Sequence, residues 1–331
     1  MFDWKKQVIL LTGGTGSFGQ KFTEIILKRH PPKVLRIFSR DEFKQYEMEK
    51  KFSQKCLRYF IGDVRDAERV RRAMADVTLV IHAAAMKQIV ASEYNPTEAI
   101  KTNVLGTMNV LNSALDKGVQ RVLGLITDKA VSPVNLYGAT KLTMEKLLIQ
   151  GNVYRGLGNT RISCVRYGNV AGSRGSVIPL FRTQSPLGKV TITHPQMTRF
   201  WITLDTAVNF VMNMIETMQG GEVFIPKMPS FKIIDLAYVI APKAQLHYVG
   251  IRPGEKIHED LITVHEAHNV REFSNHYVMT PVFSLWEDTK KKIKSGKKVP
   301  DNFAFNSGSN KKLLTKTELR QHLKTIDNEM L

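Results

Sequence analysis

The stretch Val8-Ile9-Leu10-Leu11-Thr12-Gly13-Gly14-Thr15-Gly16-Ser17-Phe18-Gly19 decides the fold. Its first five residues are apolar or β-branched, the composition of a strand covered on both faces. The glycines follow at once and can be read as G-x-G-x-x-G from Gly14 or as G-x-x-G-x-x-G from Gly13. A chain that turns this tightly and brings its backbone close to a pyrophosphate needs residues without a Cβ. The helix that follows offers free N–H groups and the positive end of its dipole. Gly13, Thr15, Gly16, Ser17, Phe18 and Gly19 are therefore the expected phosphate cradle of a dinucleotide.

Outward from this turn, short apolar runs recur at Val34 to Phe38, Arg58 to Gly62, Thr78 to His82, Arg121 to Ile126 and Arg161 to Arg166. Amphipathic stretches separate them, the longest from Asn95 to Lys117, with another from Tyr137 to Gln150 that stops at Gly151. The alternation predicts an α/β fold with a doubly wound parallel sheet. Beyond Arg166 the regularity fades into a turn-rich stretch, a helical pattern from Leu204 to Met218 and a lysine-rich end. Residues 1–168 are thus expected to form the cofactor domain, with residues 198–226 packing back onto it. Residues 169–331 are expected to form a smaller α/β substrate-binding domain, in which Ser307-Gly308-Ser309-Asn310 reads as a mobile loop.

Composition narrows the function classes. The formal charge of +18 raises nucleic acid, an acidic surface or a phosphate-rich ligand as partners. Much of the excess sits in residues 290–331, with eleven Lys/Arg against four Asp/Glu and the run Lys290-Lys291-Lys292. No base-stacking or groove-reading motif accompanies it, so a solvated basic surface is the expectation and nucleic acid is not. No apolar stretch approaches the length of a membrane span. The two cysteines, Cys56 and Cys164, lack any metal-ligand spacing, which fits a reduced cytoplasmic protein with neither disulfide nor metal.

The second strand runs into Ser39-Arg40-Asp41, where a dinucleotide fold meets the adenosine ribose. Asp41 alone suits a ribose 2′-hydroxyl and hence NAD. Arg40, with Ser39 and Lys44, supplies the cation and donors for a 2′-phosphate, and favours NADP. Asp63 and Val64 follow the third strand and are placed near the adenine, while Ala83-Ala84-Ala85 after the fourth leaves room for the cofactor.

The fifth strand ends in Thr127-Asp128-Lys129, and Tyr137-Gly138-Ala139-Thr140-Lys141 opens the next helix. Tyr137 and Lys141 share a helical face, where an ammonium can lower the phenol pKa and hold the nicotinamide ribose. A tyrosinate there can remove a hydroxyl proton as hydride leaves, beside the Thr127 hydroxyl. Simple carbinol oxidation needs neither Asp128 nor Lys129. Elimination next to a ketone needs both a base and an acid, so this pair points to loss of water from a sugar.

These residues, with Arg166-Tyr167-Gly168-Asn169-Val170, Gly172-Ser173-Arg174-Gly175-Ser176, Met197-Thr198-Arg199-Phe200-Trp201-Ile202 and Ile251-Arg252-Pro253-Gly254-Glu255-Lys256, resemble a known family to about residue 285. It is that of the inverting UDP-N-acetylglucosamine 4,6-dehydratases, extended short-chain dehydrogenases/reductases that begin pseudaminic acid biosynthesis. The resemblance implies oxidation at carbon 4 assisted by Tyr137, elimination across carbons 5 and 6 by Lys129 and Asp128, and hydride return to carbon 6. It also places Lys87, Asn169, Val170, Ser173, Arg174, Gly175, Ser176, Arg199 and Arg252 around UDP-N-acetylglucosamine, with Lys87 reaching the cofactor as well, and implies a closed homo-oligomer such as a hexamer. A retaining 4,6-dehydratase, a 4-epimerase and a non-catalytic NADP-sensing protein remain as other readings of the same motifs.

Overall fold

The structure, a computed structural model, describes residues 2–172, 176–281 and 295–330. The first strands and helices alternate: β1 (Val8–Thr12), α1 (Ser17–Arg29), β2 (Val34–Ser39), α2 (Glu42–Lys51), β3 (Leu57–Ile61), α3 (Ala67–Ala73) and β4 (Leu79–His82). Then come α4 (Ile89–Tyr94), α5 (Pro96–Ile100), α6 (Gly106–Asp116), β5 (Arg121–Thr127), α7 (Leu136–Gln150) and β6 (Arg161–Tyr167). These six strands pair in parallel in the order β3-β2-β1-β4-β5-β6. The order reverses between β1 and β4, which opens a crevice at the C-terminal strand ends where a dinucleotide binds in such sheets.

The sheet is wider than the six runs read from the sequence. After α8 (Val177–Gln184), β7 (Lys189–Ile192), β8 (Thr198–Phe200) and α9 (Leu204–Thr217), strand β9 (Val223–Pro226) adds in parallel to β6. Further along lie β10 (Ser230–Lys232), α10 (Ile233–Ile240), β11 (Gln245–Tyr248), β12 (Asp260–Ile262), β13 (Val270–Glu272) and β14 (His276–Met279). The last described elements are β15 (Lys297–Lys298), β16 (Phe305–Asn306) and α11 (Lys316–Met330). Strands β14, β13 and β15 extend the same sheet in antiparallel fashion, giving ten strands among the described residues. The other strands form the two-stranded pairs β8/β10, β7/β11 and β12/β16.

Burial follows this arrangement. The large core lies on both faces of the sheet, with Ile9, Leu11, Leu35, Ile37, Leu79, Ile81, Leu123 and Val165 essentially inaccessible. A second, smaller core joins α8, β7, α10 and α11 through Phe181, Val190, Trp201, Leu236, Leu319 and Leu323. Buried His82 bridges layers: its ring nitrogens lie 2.7 Å from Thr12 Oγ1 and 3.0 Å from Thr107 Oγ1, and burial holds it neutral, with its pKa down to about 3. Arg166, fully buried on β6, forks onto Glu145 of α7 and Glu266 beyond β12, so the parallel sheet and the later chain are tied by one ion triad.

Two expectations change in detail. The helical pattern from Asn95 to Lys117 is not one helix. Pro96 starts α5 and a π turn at Lys101–Leu105 separates it from α6. That turn frees Asn103, whose side chain accepts from Met86 N–H at 2.8 Å and donates to Met86 O and Thr140 Oγ1 at 2.9 Å, pinning the loop after β4 to α7. Ser307 is not in a loose loop but 1% exposed, packed beside β12. The Lys290-Lys291-Lys292 run and Ser173, Arg174 and Gly175 lie outside the described residues.

Candidate active site

A cleft of about 800 Å³ runs across the C-terminal ends of the parallel strands. At one end the turn after β1 meets the loop after β4. Gly13 has φ +65°, and a Cβ there would stand 2.8 Å from Ala84 N, so only glycine permits this approach. Thr15, Gly16, Ser17 and Phe18 line the cleft with it. Gly19 does not line the cleft. It lies against the Gly14 backbone, where a Cβ would meet the carbonyl oxygen at 2.2 Å, and its role is to let α1 dock.

Ser39, Arg40, Asp41, Lys44, Asp63, Val64, Ala83 and Lys87 line the same cleft. Asp41 caps α2: its Oδ1 accepts from Lys44 N–H at 2.9 Å while its other oxygen pairs with the Lys44 ammonium. Arg40 is exposed and 3.6 Å from Asp63, whose carboxyl is held below its usual range by Arg65 and Arg40 against the opposing effect of burial. Ser39 accepts through Oγ from Gln45 at 3.0 Å, which leaves its O–H to donate elsewhere.

The reacting end is built where β5 meets α7. Thr127 caps a single 3₁₀ turn, Asp128–Ala130, that presents both Asp128 and Lys129. Gly138 makes the docking possible, because a Cβ at that position would lie 2.2 Å from Lys129 O. Asn135 caps α7, accepting from Gly138 N–H and donating to Gly254 O at 2.7 Å each, so the Arg252-Pro253-Gly254 turn is moored at the same helix end.

Thr127 Oγ1 donates to Asp128 Oδ1 at 2.8 Å, and Lys129 Nζ lies 3.1 Å from that oxygen. Asp128 is fully buried and its Oδ2 has no hydrogen-bond partner among the described residues. Burial opposes the charge on Lys129, but the carboxylates of Asp128 and Glu259 outweigh it and hold its pKa above the ordinary lysine value. Lys129 is therefore a caged cation at rest, held between two carboxylates.

Tyr137 and Lys141 share the buried face of α7, yet the electrostatics differ from expectation. Burial drives the Tyr137 phenol up, and the influences pulling it down come from Lys129 and a hydrogen bond with Thr127. Lys141 Nζ instead donates to Leu125 O at 2.5 Å, and burial lowers its pKa to about 8. Asn169, Val170, Ser176, Arg199 and Arg252 line the far part of the cleft. Three charged residues there, Glu255, Lys256 and Glu259, were not among the predicted site residues; Lys256 donates to Val131 O at 2.6 Å, and Glu259 lies 3.6 Å from Lys129 Nζ. Lys256 was within reach as the end of Arg252-Pro253-Gly254-Glu255-Lys256, but nothing in local spacing marks Glu259.

A parallel sheet with a glycine cradle after its first strand, a threonine at the end of its fifth, and a tyrosine and a lysine on the helix that follows is the arrangement of a sugar-nucleotide enzyme of the short-chain dehydrogenase/reductase class. The model of the polysaccharide biosynthesis protein family matches residues 9–281. An inverting UDP-N-acetylglucosamine 4,6-dehydratase of Campylobacter jejuni subsp. jejuni serotype O:23/36 is 47% identical over 326 residues, covering 96% of this chain and 97% of the relative. A UDP-glucose 4-epimerase of Rickettsia rickettsii is 39% identical, covering 97% and 96%. Among solved structures, Pen from Bacillus thuringiensis superposes with a TM-score of 0.90 at 36% identity, covering 100% of both chains. The chain belongs to the polysaccharide biosynthesis protein family, among the relatives of the inverting UDP-N-acetylglucosamine 4,6-dehydratases.

Proposed function

We propose that the protein is an NADP-dependent UDP-N-acetylglucosamine 4,6-dehydratase that inverts carbon 5. The observation that carries the reading is the contact of Asp128 and Lys129 beside Thr127 in the cleft that also holds Tyr137. Simple oxidation has no use for a buried acid–base pair at that place. The 47% identity to an inverting dehydratase supports the same choice.

The residues fit a bound NADP. Gly13 lets the turn after β1 close onto the loop after β4 at the wall of the cleft, and Asp41 is engaged as a helix cap while Arg40, Ser39 and Lys44 supply cations and donors for a 2′-phosphate. When bound, NADP supplies the acceptor for the carbon 4 hydride and returns it to carbon 6. Tyr137 takes the carbon 4 hydroxyl proton, with Thr127 orienting the hydroxyl. The ketone acidifies the carbon 5 proton, which passes to Lys129, and Asp128 protonates the departing carbon 6 hydroxyl. Reprotonation of carbon 5 on the opposite face gives the L-configured 4-keto-6-deoxy sugar. Lys87, Asn169, Val170, Ser176, Arg199 and Arg252 hold the nucleotide sugar in this reading, the arginines on its diphosphate.

Delivery of this product toward pseudaminic acid, a cytoplasmic site of action and a closed homo-oligomer belong to the same proposal. Support for the second comes from the unpaired Cys56 and Cys164 and from the lack, among the described residues, of a helix long and apolar enough to cross a membrane. Exposed Phe43 and Tyr46 on α2 offer apolar surface for self-association.

Proton NMR of UDP-N-acetylglucosamine with the protein and NADP in deuterated water tests the function. A new carbon 6 methyl with an inverted, deuterated carbon 5 is expected. Retained configuration moves the protein to the retaining dehydratases. An epimer at carbon 4 with no methyl favours the activity named for the Rickettsia relative.

A further inference from the structure

Glu259 immediately precedes β12, 3% exposed, on the wall of the cleft. Its Oε1 lies 3.6 Å from Lys129 Nζ and 3.5 Å from Arg199 Nε, and its Oε2 has no hydrogen-bond partner among the described residues. The backbone is clamped on both sides by one residue: Glu259 N–H donates to Ser307 Oγ and Ser307 N–H donates to Glu259 O, each at 2.8 Å. Ser307 Oγ is in turn 2.8 Å from Thr198 Oγ1. Burying a carboxylate with one oxygen unpaired is costly, so a rigidly held carboxylate beside the ammonium calls for a function.

The other charged or titratable groups around Lys129 are Asp128 at 3.1 Å, Tyr137, Arg199 and Lys87, with Lys256 facing Glu259. Among the described residues, Asp128 and Glu259 are the carboxylates within ion-pair distance of the ammonium. Asp128 is committed to the leaving group. We infer that Glu259 is a positioning residue for the carbon 5 proton transfer, holding the Lys129 side chain in place and stabilising the positive charge that forms on Nζ. This rests on the function proposed above.

The proton count is consistent. A shift of one proton from Lys129 Nζ to Asp128 Oδ1 converts the ion pair into a free amine and a carboxylic acid. The carbon 5–hydrogen bond then breaks, its proton forms a new N–H bond on Lys129, and its electron pair becomes the carbon 5–carbon 6 double bond. The carbon 6–oxygen bond breaks with its electrons, the Asp128 proton goes to that oxygen, and water leaves. Lys129 ends as a cation between two carboxylates, and Glu259 takes no proton in the sequence; burial pushes its pKa up, and Lys129, Arg199 and Lys256 oppose that rise.

Glu259→Gln keeps the shape and removes the charge. With its stabilising anion gone, the Lys129 ammonium loses its proton at lower pH. In the intact protein, acetylation of Lys129 by acetic anhydride, followed by mass spectrometry across pH, should shift to lower pH. One pKa unit makes labelling about 10-fold faster on the acidic limb. In single turnover, cofactor reduction should keep its wild-type rate, while deuterium entry at carbon 5 and methyl formation fall roughly 10- to 100-fold. Glu259→Asp, which keeps the charge on a shorter arm, should recover part of that loss. An unshifted labelling profile, or equal slowing of oxidation and elimination, overturns the assignment. If the wild type forms no methyl from UDP-N-acetylglucosamine, the proposed function fails instead, and the labelling comparison still decides whether Glu259 governs the charge of Lys129.

Discussion

Lys129 Nζ lies 3.1 Å from Asp128 Oδ1, so the proposed base and acid of the elimination can exchange a proton directly. As an ion pair neither is ready to react, and as a neutral pair both are. The carboxylates of Asp128 and Glu259 hold Lys129 protonated at rest against the opposing effect of burial, so the charged pair is the resting form. Substrate binding has to drive the proton from Lys129 to Asp128, a transfer that the contact within the turn keeps direct.

Lys129→Ala should therefore abolish methyl formation while cofactor binding and carbon 4 oxidation persist, so that reduced cofactor accumulates on the enzyme. Asp128 would lose its cation, and breaking a buried pair costs about 3–5 kcal/mol, visible in urea unfolding. Adding Asp128→Asn should restore much of that stability and none of the activity. Methyl formation at the normal rate by Lys129→Ala would remove the lysine from the elimination.

Tyr137→Phe should stall the sequence one step earlier. The phenol is 8% exposed and hydrogen-bonded to Thr127, and the substrate hydroxyl has no other proton acceptor of that kind beside Thr127 in the proposed mechanism. Cofactor reduction in single turnover should fall by about 100-fold or more. Stability should change little, since the ring remains. Reduction at the wild-type rate would assign the proton transfer elsewhere.

The sequence made the sheet centre readable because β1 to β6 are apolar runs followed by informative turns, and the glycine cradle fixes which end of the sheet is the cleft. Strands β13 and β15 were not readable: three and two residues long, they include Arg271, Glu272, Lys297 and Lys298, and exist only through pairing. The Asp128–Lys129 and Tyr137–Lys141 pairs were legible because each is local. Glu259 was not, since it reaches Lys129 only through β12 and the Ser307 clamp, contacts with no periodic signature. Sequence also misjudged the source of charge near Tyr137, because helical spacing shows that Lys141 shares its face but not that Nζ turns to Leu125 O.

Arg40→Ala should weaken NADP binding by about 10-fold or more with little effect on NAD, since a charge-assisted contact to the 2′-phosphate is lost and the ribose contacts are not. Arg40 is exposed, so the difference should shrink at high salt. Calorimetric titration with both cofactors measures it. Equal loss for the two would assign Arg40 to the shared part of the dinucleotide, and the choice of NADP would lose its main support.

Lys141→Met carries a pH signature. The folded-state pKa of about 8 lies below the ordinary lysine value of 10.5, so between these pH values the unfolded chain binds the proton that the folded chain has released. Stability due to this group thus rises with pH through that window, and below pH 8 the folded protein bears the full burden of a buried ammonium. Replacing it with an apolar side chain of similar length should stabilise the protein at pH 7 by roughly 1–3 kcal/mol, less whatever the hydrogen bond to Leu125 O contributes. The gain should shrink by pH 10. Urea unfolding at the two pH values gives both numbers, with turnover expected to be lost at either. A variant destabilised equally at both would mean that the Leu125 hydrogen bond outweighs the burial of charge, and that Lys141 is a structural strut as much as a functional one.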